Sequence, residues 1–277
     1  MTITLRKYTS VLYLILAAVL LTSCANQAKK SDITPVDNQI QKIAIIGESK
    51  VFYPRMGGKS PLLDLASSKK VMEIHFPKAG EVLKGKGYEV TYQEPAGIGY
   101  LYINEENWVT EDYNNSDVKW QTNAGDPVYE YSNIKQDEHF HYIVKQAFEK
   151  ATITSERGIF NRYRPVKYAH DLSVLGEQTG ADTICFVRLY ANRYTASRNA
   201  GEIGLIVLGA LFGAYGGTVS SDGIGSSTTC MDVATNKVIW NGWMYKTNDP
   251  MDEDTAIVET VLKSFPQKGA PIAFKVY

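Results

Sequence analysis

The chain has 277 residues, with 29 basic against 30 acidic side chains and 44% hydrophobic residues. So balanced a charge, with no basic stripe along the chain, excludes nucleic acid as a partner, and the hydrophobic share is that of a folded protein. Tyrosine is frequent, at 18 residues, which suits either contact surfaces or tyrosine-rich strands.

Arg6 and Lys7 give the start a positive end, and Val11 to Leu21 is an apolar run interrupted by Tyr13. Small residues and a cysteine follow, as Leu21-Thr22-Ser23-Cys24. A positive region, a short apolar core and a small-residue cleavage site read as a secretory signal over residues 1–23. The run is about half of the roughly 20 residues that a membrane-spanning helix needs. Leu21 to Cys24 resembles the lipobox of bacterial lipoproteins. That resemblance implies a diacylglycerol thioether on Cys24, cleavage before it, and palmitate-type acylation. With Ala25 rather than aspartate next, it also implies the outer membrane, on its periplasmic side. Residues 24–40 are polar and aperiodic, and read as a flexible tether.

Residues 41–277 read as one domain. Lys42 to Gly47 is an unbroken apolar run closed by glycine, the pattern of a strand buried on both faces. A loop with Pro54, Gly57, Gly58 and Pro61 follows. Leu62 to Lys86 has helical spacing, with Pro77 in the first turn of a second helix. Tyr88 to Tyr92 alternates as a strand. Residues 94–132 are rich in Tyr, Asn, Asp and Glu, and read as a polar insertion in which YLYI and PVYEY are candidate hairpin strands. Gln136 to Ala151 carries Phe140, Ile143, Val144, Ala147 and Phe148 on one helical face. Val166 to Thr179 is a helix capped by Gly180. Strands are expected at 181–190, 225–233 and 237–245, the last two joined by Ala234-Thr235-Asn236. Asp252 to Phe265 reads as a closing helix with Asp252 at its N-cap. Early strands separated by helices and late strands joined by hairpins give an α/β (α+β) fold, a mixed, mostly antiparallel sheet with helices packed on it.

Gly180-Ala181-Asp182 before a strand, and Asp232-Val233-Ala234-Thr235-Asn236-Lys237-Val238-Ile239-Trp240 across a hairpin, resemble envelope lipoproteins with the fold of the TolB amino-terminal domain. Those include the curli secretion-channel lipoprotein and the penicillin-binding-protein activator lipoproteins. Asn236 stands where glycine is usual, a mild departure because asparagine tolerates positive φ. The resemblance implies the fold and an envelope setting; it assigns no activity.

Sites of chemistry are sparse. Gly58-Lys59-Ser60 ends like a phosphate loop, but Tyr53 stands where the first glycine belongs. His139 and His141 are two apart on an expected helix and so point to opposite sides. No G-x-S-x-G occurs, and Cys185 lies between Ile184 and Phe186 without an electropositive setting. Cys185 and Cys230 sit in different expected strands; a disulfide and two buried thiols both remain open. Gly209, Gly213 and Gly217 repeat every four residues in an apolar stretch, which suits a homo-oligomer contact, a membrane contact or a place in the core. The expectation is a non-enzymatic structural or assembly component with no cofactor and no metal. Its partners are the membrane, through the lipid on Cys24, and other envelope proteins. A subunit of an oligomeric secretion-type complex is the alternative, and an enzyme with an unrecognised site is another.

Overall fold

A computed structural model describes residues 39–53, 62–99, 108–122, 129–130, 142–147, 171–194 and 221–272. Cys24, Gly58-Lys59-Ser60, His139, His141, Gly209, Gly213 and Gly217 lie outside the described residues, as does the span read as signal and tether except for residues 39 and 40, of which Ile40 is buried in the core.

The central strand is β1 (Lys42–Tyr53). It runs past Gly47, where the apolar run led us to expect its end. The glycine is a seat rather than a stop: a Cβ there would come within 2.4 Å of the Phe76 ring. Omitting it lets the start of a helix lie directly on the strand. A short β2 (Leu62–Leu63) pairs antiparallel with the last residues of β1. Next come α1 (Leu65–His75) and α2 (Pro77–Gly85), with Pro77 in the first turn of α2 as expected. Asp64 caps α1 by accepting a hydrogen bond from the Ser67 amide at 2.8 Å.

These helices cross over to β3 (Glu89–Ile98), which pairs parallel with β1. β3 therefore occupies the first residues of the span read as a polar insertion. The hairpin in that span is β4 (Trp108–Asp112) and β5 (Lys119–Thr122), antiparallel to each other. Of the two segments expected to form it, PVYEY holds β6 (Tyr129–Glu130), which pairs with β3, and YLYI lies outside the described residues. Residues 142–147 are helical (α3), with Ile143, Val144 and Ala147 buried. Then α4 (Ser173–Thr179) ends on Gly180 in the left-handed conformation at φ 68°.

β7 (Thr183–Asn192), β8 (Gly223–Asp232) and β9 (Lys237–Lys246) form one antiparallel block. β7 also pairs parallel with β1, so the sheet is mixed. The expected closing helix is two pieces: a 3-10 turn at Glu253–Thr255, capped by Asp252, and α5 (Ile257–Leu262). Ala256 at φ 45° separates them. Lys246 holds this kink, its Nζ donating to the carbonyl of Thr255 at 2.6 Å and to Thr260 Oγ1 at 3.2 Å. Lys86 does the same at the other end of α5, donating to the Phe265 carbonyl at 2.7 Å.

Alternation along the strands splits the core between the two sheet faces. On one face Ile43, Ile45, Val187 and Leu189 pack against α1, α2 and α5. Trp240 belongs there, only 4% exposed, with its ring edge-on to Phe265 at 5.1 Å. On the other face Ala44, Ile46, Ile184, Phe186 and Met231 pack against Ile143, Val144, Leu172 and Leu175 of the α3 and α4 side.

Candidate functional site

The two motifs behind the family resemblance have local structural work. Asp182 Oδ2 accepts from the amides of Gln41 and Lys42, both at 3.0 Å, and so fixes the start of β1. Asp232 Oδ1 accepts from the Thr235 amide at 2.7 Å in the β8–β9 turn. Asn236, at φ 54°, accepts from the Leu172 amide at 2.9 Å and joins the turn to the start of α4. These residues organise the amino end of β1 and β7.

The opposite end, towards the carboxyl ends of the parallel strands, has a different surface. In open α/β sheets that end is where ligands gather. Glu48 on β1 lies beside Arg188 on β7, Arg188 opposite Ser227 on β8, and Ser227 opposite Trp243 on β9. These four therefore form one row on the face that carries Phe186. Arg188 Nε donates to Glu48 Oε1, with the two residues 5% and 1% exposed. A buried pair of opposite charges needs its mutual contact, because either alone would carry an uncompensated desolvation cost.

The next row holds Tyr190, Gly225 and Tyr245. The two tyrosines reach toward each other from β7 and β9 across β8. A Cβ on Gly225 would fall 2.1 Å from the Tyr190 ring, and one on Gly223 2.0 Å from the Tyr245 hydroxyl. The glycines are the floor on which the rings rest. Their centroids are 6.3 Å apart and their planes 22° from parallel. The Trp243 indole N–H donates to the Tyr190 hydroxyl, and Asn192 hydrogen-bonds the Tyr245 hydroxyl. Burial pushes the Tyr190 hydroxyl pKa up to about 12 and raises that of Tyr245. Both stay neutral at physiological pH. Trp243 is nonetheless 59% exposed and Tyr245 39%. The result is an aromatic shelf whose Trp243 and Tyr245 side chains are exposed to solvent.

A second cluster lies at the end of β1. Tyr53 stacks on Tyr113 at 3.5 Å, and the Arg193 guanidinium stands 5.9 Å from the Tyr53 ring. Arg193 Nε is 3.8 Å from Asp222 Oδ2, and Asn114 donates to Asp64 at 3.0 Å. Burial pushes the Tyr53 hydroxyl up to about 12.

Cys185 and Cys230 face each other in register on β7 and β8 and are joined as a disulfide within the core. His75, buried on α1, is 2.9 Å through Nε2 from the Pro250 carbonyl, and burial lowers its pKa. Among the described residues no group of three or more His, Cys, Asp or Glu side chains is placed to hold a metal ion. None of the described helices is long and apolar enough to cross a membrane.

Sequence reasoning missed the shelf. The signal that could have found it is the Gly223–Gly225 spacing in β8 together with the aromatic alternation of Trp243 and Tyr245 in β9. Compared with known proteins, the sequence matches no family model and no curated protein.

Proposed function

We propose that this chain is an exported lipoprotein, anchored by a lipid on Cys24 in the outer membrane and facing the periplasm. It works as a non-enzymatic structural or assembly component through contacts with other envelope proteins, on a fold of the TolB amino-terminal-domain type. The observation that carries the contact role is the outer edge of β9. Residues 238–245 (VIWNGWMY) contain no charge and no proline, and among the described residues β9 pairs only with β8. Natural edge strands are usually blunted by charge, proline or cover, because an open edge recruits further chains. An edge of this composition is a place for another strand. Self-pairing about the strand centre would set Lys237 against Lys246, so the edge favours a different chain over a second copy.

The buried disulfide supports the compartment, since such bonds persist in oxidising surroundings. The Gly180-Ala181-Asp182 and Asp232-to-Trp240 motifs support the fold type. Two experiments test the reading. Cys24→Ser should leave an uncleaved precursor that takes up no labelled palmitate; normal labelling of that variant would end the lipoprotein claim. Photo-crosslinkers placed in intact cells at positions 239 and 241 of β9 should give a discrete protein adduct, while one at Lys70 on α1 should not. No adduct from β9 would sink the contact role.

A further inference from the structure

We propose that the shelf of Tyr190, Trp243 and Tyr245 is a binding site for a neutral polysaccharide, whose sugar rings stack on the aromatic faces. The site lies on the sheet face rather than along the β9 edge, so it stands independently of the protein contact proposed above.

Three observations carry it. First, the shelf is built rather than incidental. Two glycines in β8 are the only residue type that leaves room for the rings, with a Cβ at either position falling within 2.1 Å of a tyrosine side chain. Hydrogen bonds from Trp243 to Tyr190 and between Asn192 and Tyr245 fix the rings' orientation. Rings held before binding lose little conformational freedom on binding.

Second, the polar tips of the shelf are engaged within it. Aromatic residues at protein interfaces typically combine ring contact with a hydrogen bond from the hydroxyl or indole N–H. Here the Tyr190 hydroxyl, the Tyr245 hydroxyl and the indole N–H already have partners within the shelf. What stands exposed is the Trp243 indole and the Tyr245 side chain, with the mostly buried Tyr190 ring 6.3 Å from that of Tyr245. The matching ligand is flat, presents C–H groups to the rings and carries its own polar groups around its rim. A pyranose ring has that shape.

Third, among the described residues the charges around the shelf favour a neutral ligand. Glu48 and Arg188 are buried and bonded to each other in the adjoining row. Asp222 lies beside Arg193 at the shelf's end. Lys50 occupies Tyr190's row on the side away from β9. The ladder neighbours Ser227, Thr229, Asn241, Asn192, Gly223 and Gly225 are uncharged. A stacked nucleic acid would need phosphate-binding cations along the shelf. A neutral sugar needs only the amides and hydroxyls that are there.

The test uses the mature, lipidated chain in detergent, with chitohexaose and insoluble chitin as probes. Calorimetric titration should show saturable binding of chitohexaose, and the protein should cosediment with chitin. Trp243→Ala alters an exposed side chain and should keep the wild-type circular dichroism while weakening chitohexaose binding roughly tenfold, the equivalent of one lost stacking contact. Tyr245→Leu keeps bulk but removes the flat ring, and should weaken it similarly. Wild-type protein that binds neither probe overturns the proposal, as does undiminished binding by both variants. A Trp243→Ala variant that loses a protein adduct from β9, in a wild type that binds no glycan, would assign the shelf to a protein partner and also overturn it. Glycan binding with no β9 adduct would support the shelf and remove the edge contact, so the two readings fail separately.

Discussion

Reducing the Cys185–Cys230 disulfide should destabilise the folded chain strongly without altering its architecture. The ladder between β7 and β8 already pairs these strands from Thr183–Asp232 to Asn192–Gly223, so the bond is not needed to set their register. Its effect lies in the unfolded chain, where it ties together residues 45 apart in sequence. The loop-closure entropy for a ring of that size corresponds to about 4 kcal/mol at room temperature. A whole domain typically has about 5–15 kcal/mol, so the bond is a large share of the total. For a domain of this length each kcal/mol moves the melting midpoint by about 2–4 °C, which gives a fall of roughly 8–16 °C. Thermal melts of the mature chain with and without reductant, followed by far-UV circular dichroism, read this directly. Free thiols should be counted at the end of each melt. A fully reduced chain whose midpoint falls by less than about 3 °C would refute the entropic argument, and would mean that the unfolded chain is already held compact.

Three other perturbations probe different parts of the fold. His75 is buried with a lowered pKa, so above the unfolded value of about 6.5 it is neutral in both states and carries no penalty. Below that pH the unfolded chain takes up a proton that the folded chain resists, so stability falls as pH drops from about 6.5. Urea midpoints from pH 7.5 to 5 should fall less steeply in His75→Gln, and equal slopes would remove His75 as the cause. Asp182→Ala leaves the amides of Gln41 and Lys42 without their acceptor and should cost about 1–2 kcal/mol, measured by urea unfolding, with Asp182→Asn costing less. Gly225→Ala places a Cβ against the Tyr190 ring and should cost about 1–3 kcal/mol by overpacking. A neutral result there would show that Tyr190 does not rest on β8.

The elements that could be read in advance are those whose signal is local. Gly180 as a helix end, Pro77 as a helix start and the hairpin at Asn236 each follow from one residue's backbone preference. Of the late strands, β7 and β9 were legible because β-branched and aromatic residues fill them, and β8 because a hairpin-sized turn joins it to β9. Gly47 misled for a physical reason: a glycine that ends a strand and one that seats a packed ring look alike until the ring is known. The closing helix read as continuous because Ala256 favours helix, and its left-handed conformation is held by Lys246 from another strand. Pairings such as Glu48 with Arg188 join residues 140 apart in sequence and depend on strand order, which no local pattern encodes. The shelf was hidden for the same reason, since it needs β7, β8 and β9 side by side before its glycines and rings meet.

The direction of β1 has a mechanical consequence. The chain enters the sheet at Lys42, where Asp182 grips it, while the shelf lies in the rows beside Glu48 to Lys50. At about 3.3 Å per residue that is roughly 20–26 Å further along the strand. A pull on the amino-terminal side, opposed by a load held at β9, would pass sideways through β1, β7, β8 and β9 in turn. The ladders between them run along the direction of pull, so their hydrogen bonds would be loaded together in shear rather than opened one at a time. β1 is also flanked by β3, which shares the load at the point of entry. The covalent link from Cys185 to Cys230 crosses the middle step of that path like a bolt through a lap joint. A protein fixed at one end and gripping something at the other would be built to hold under tension.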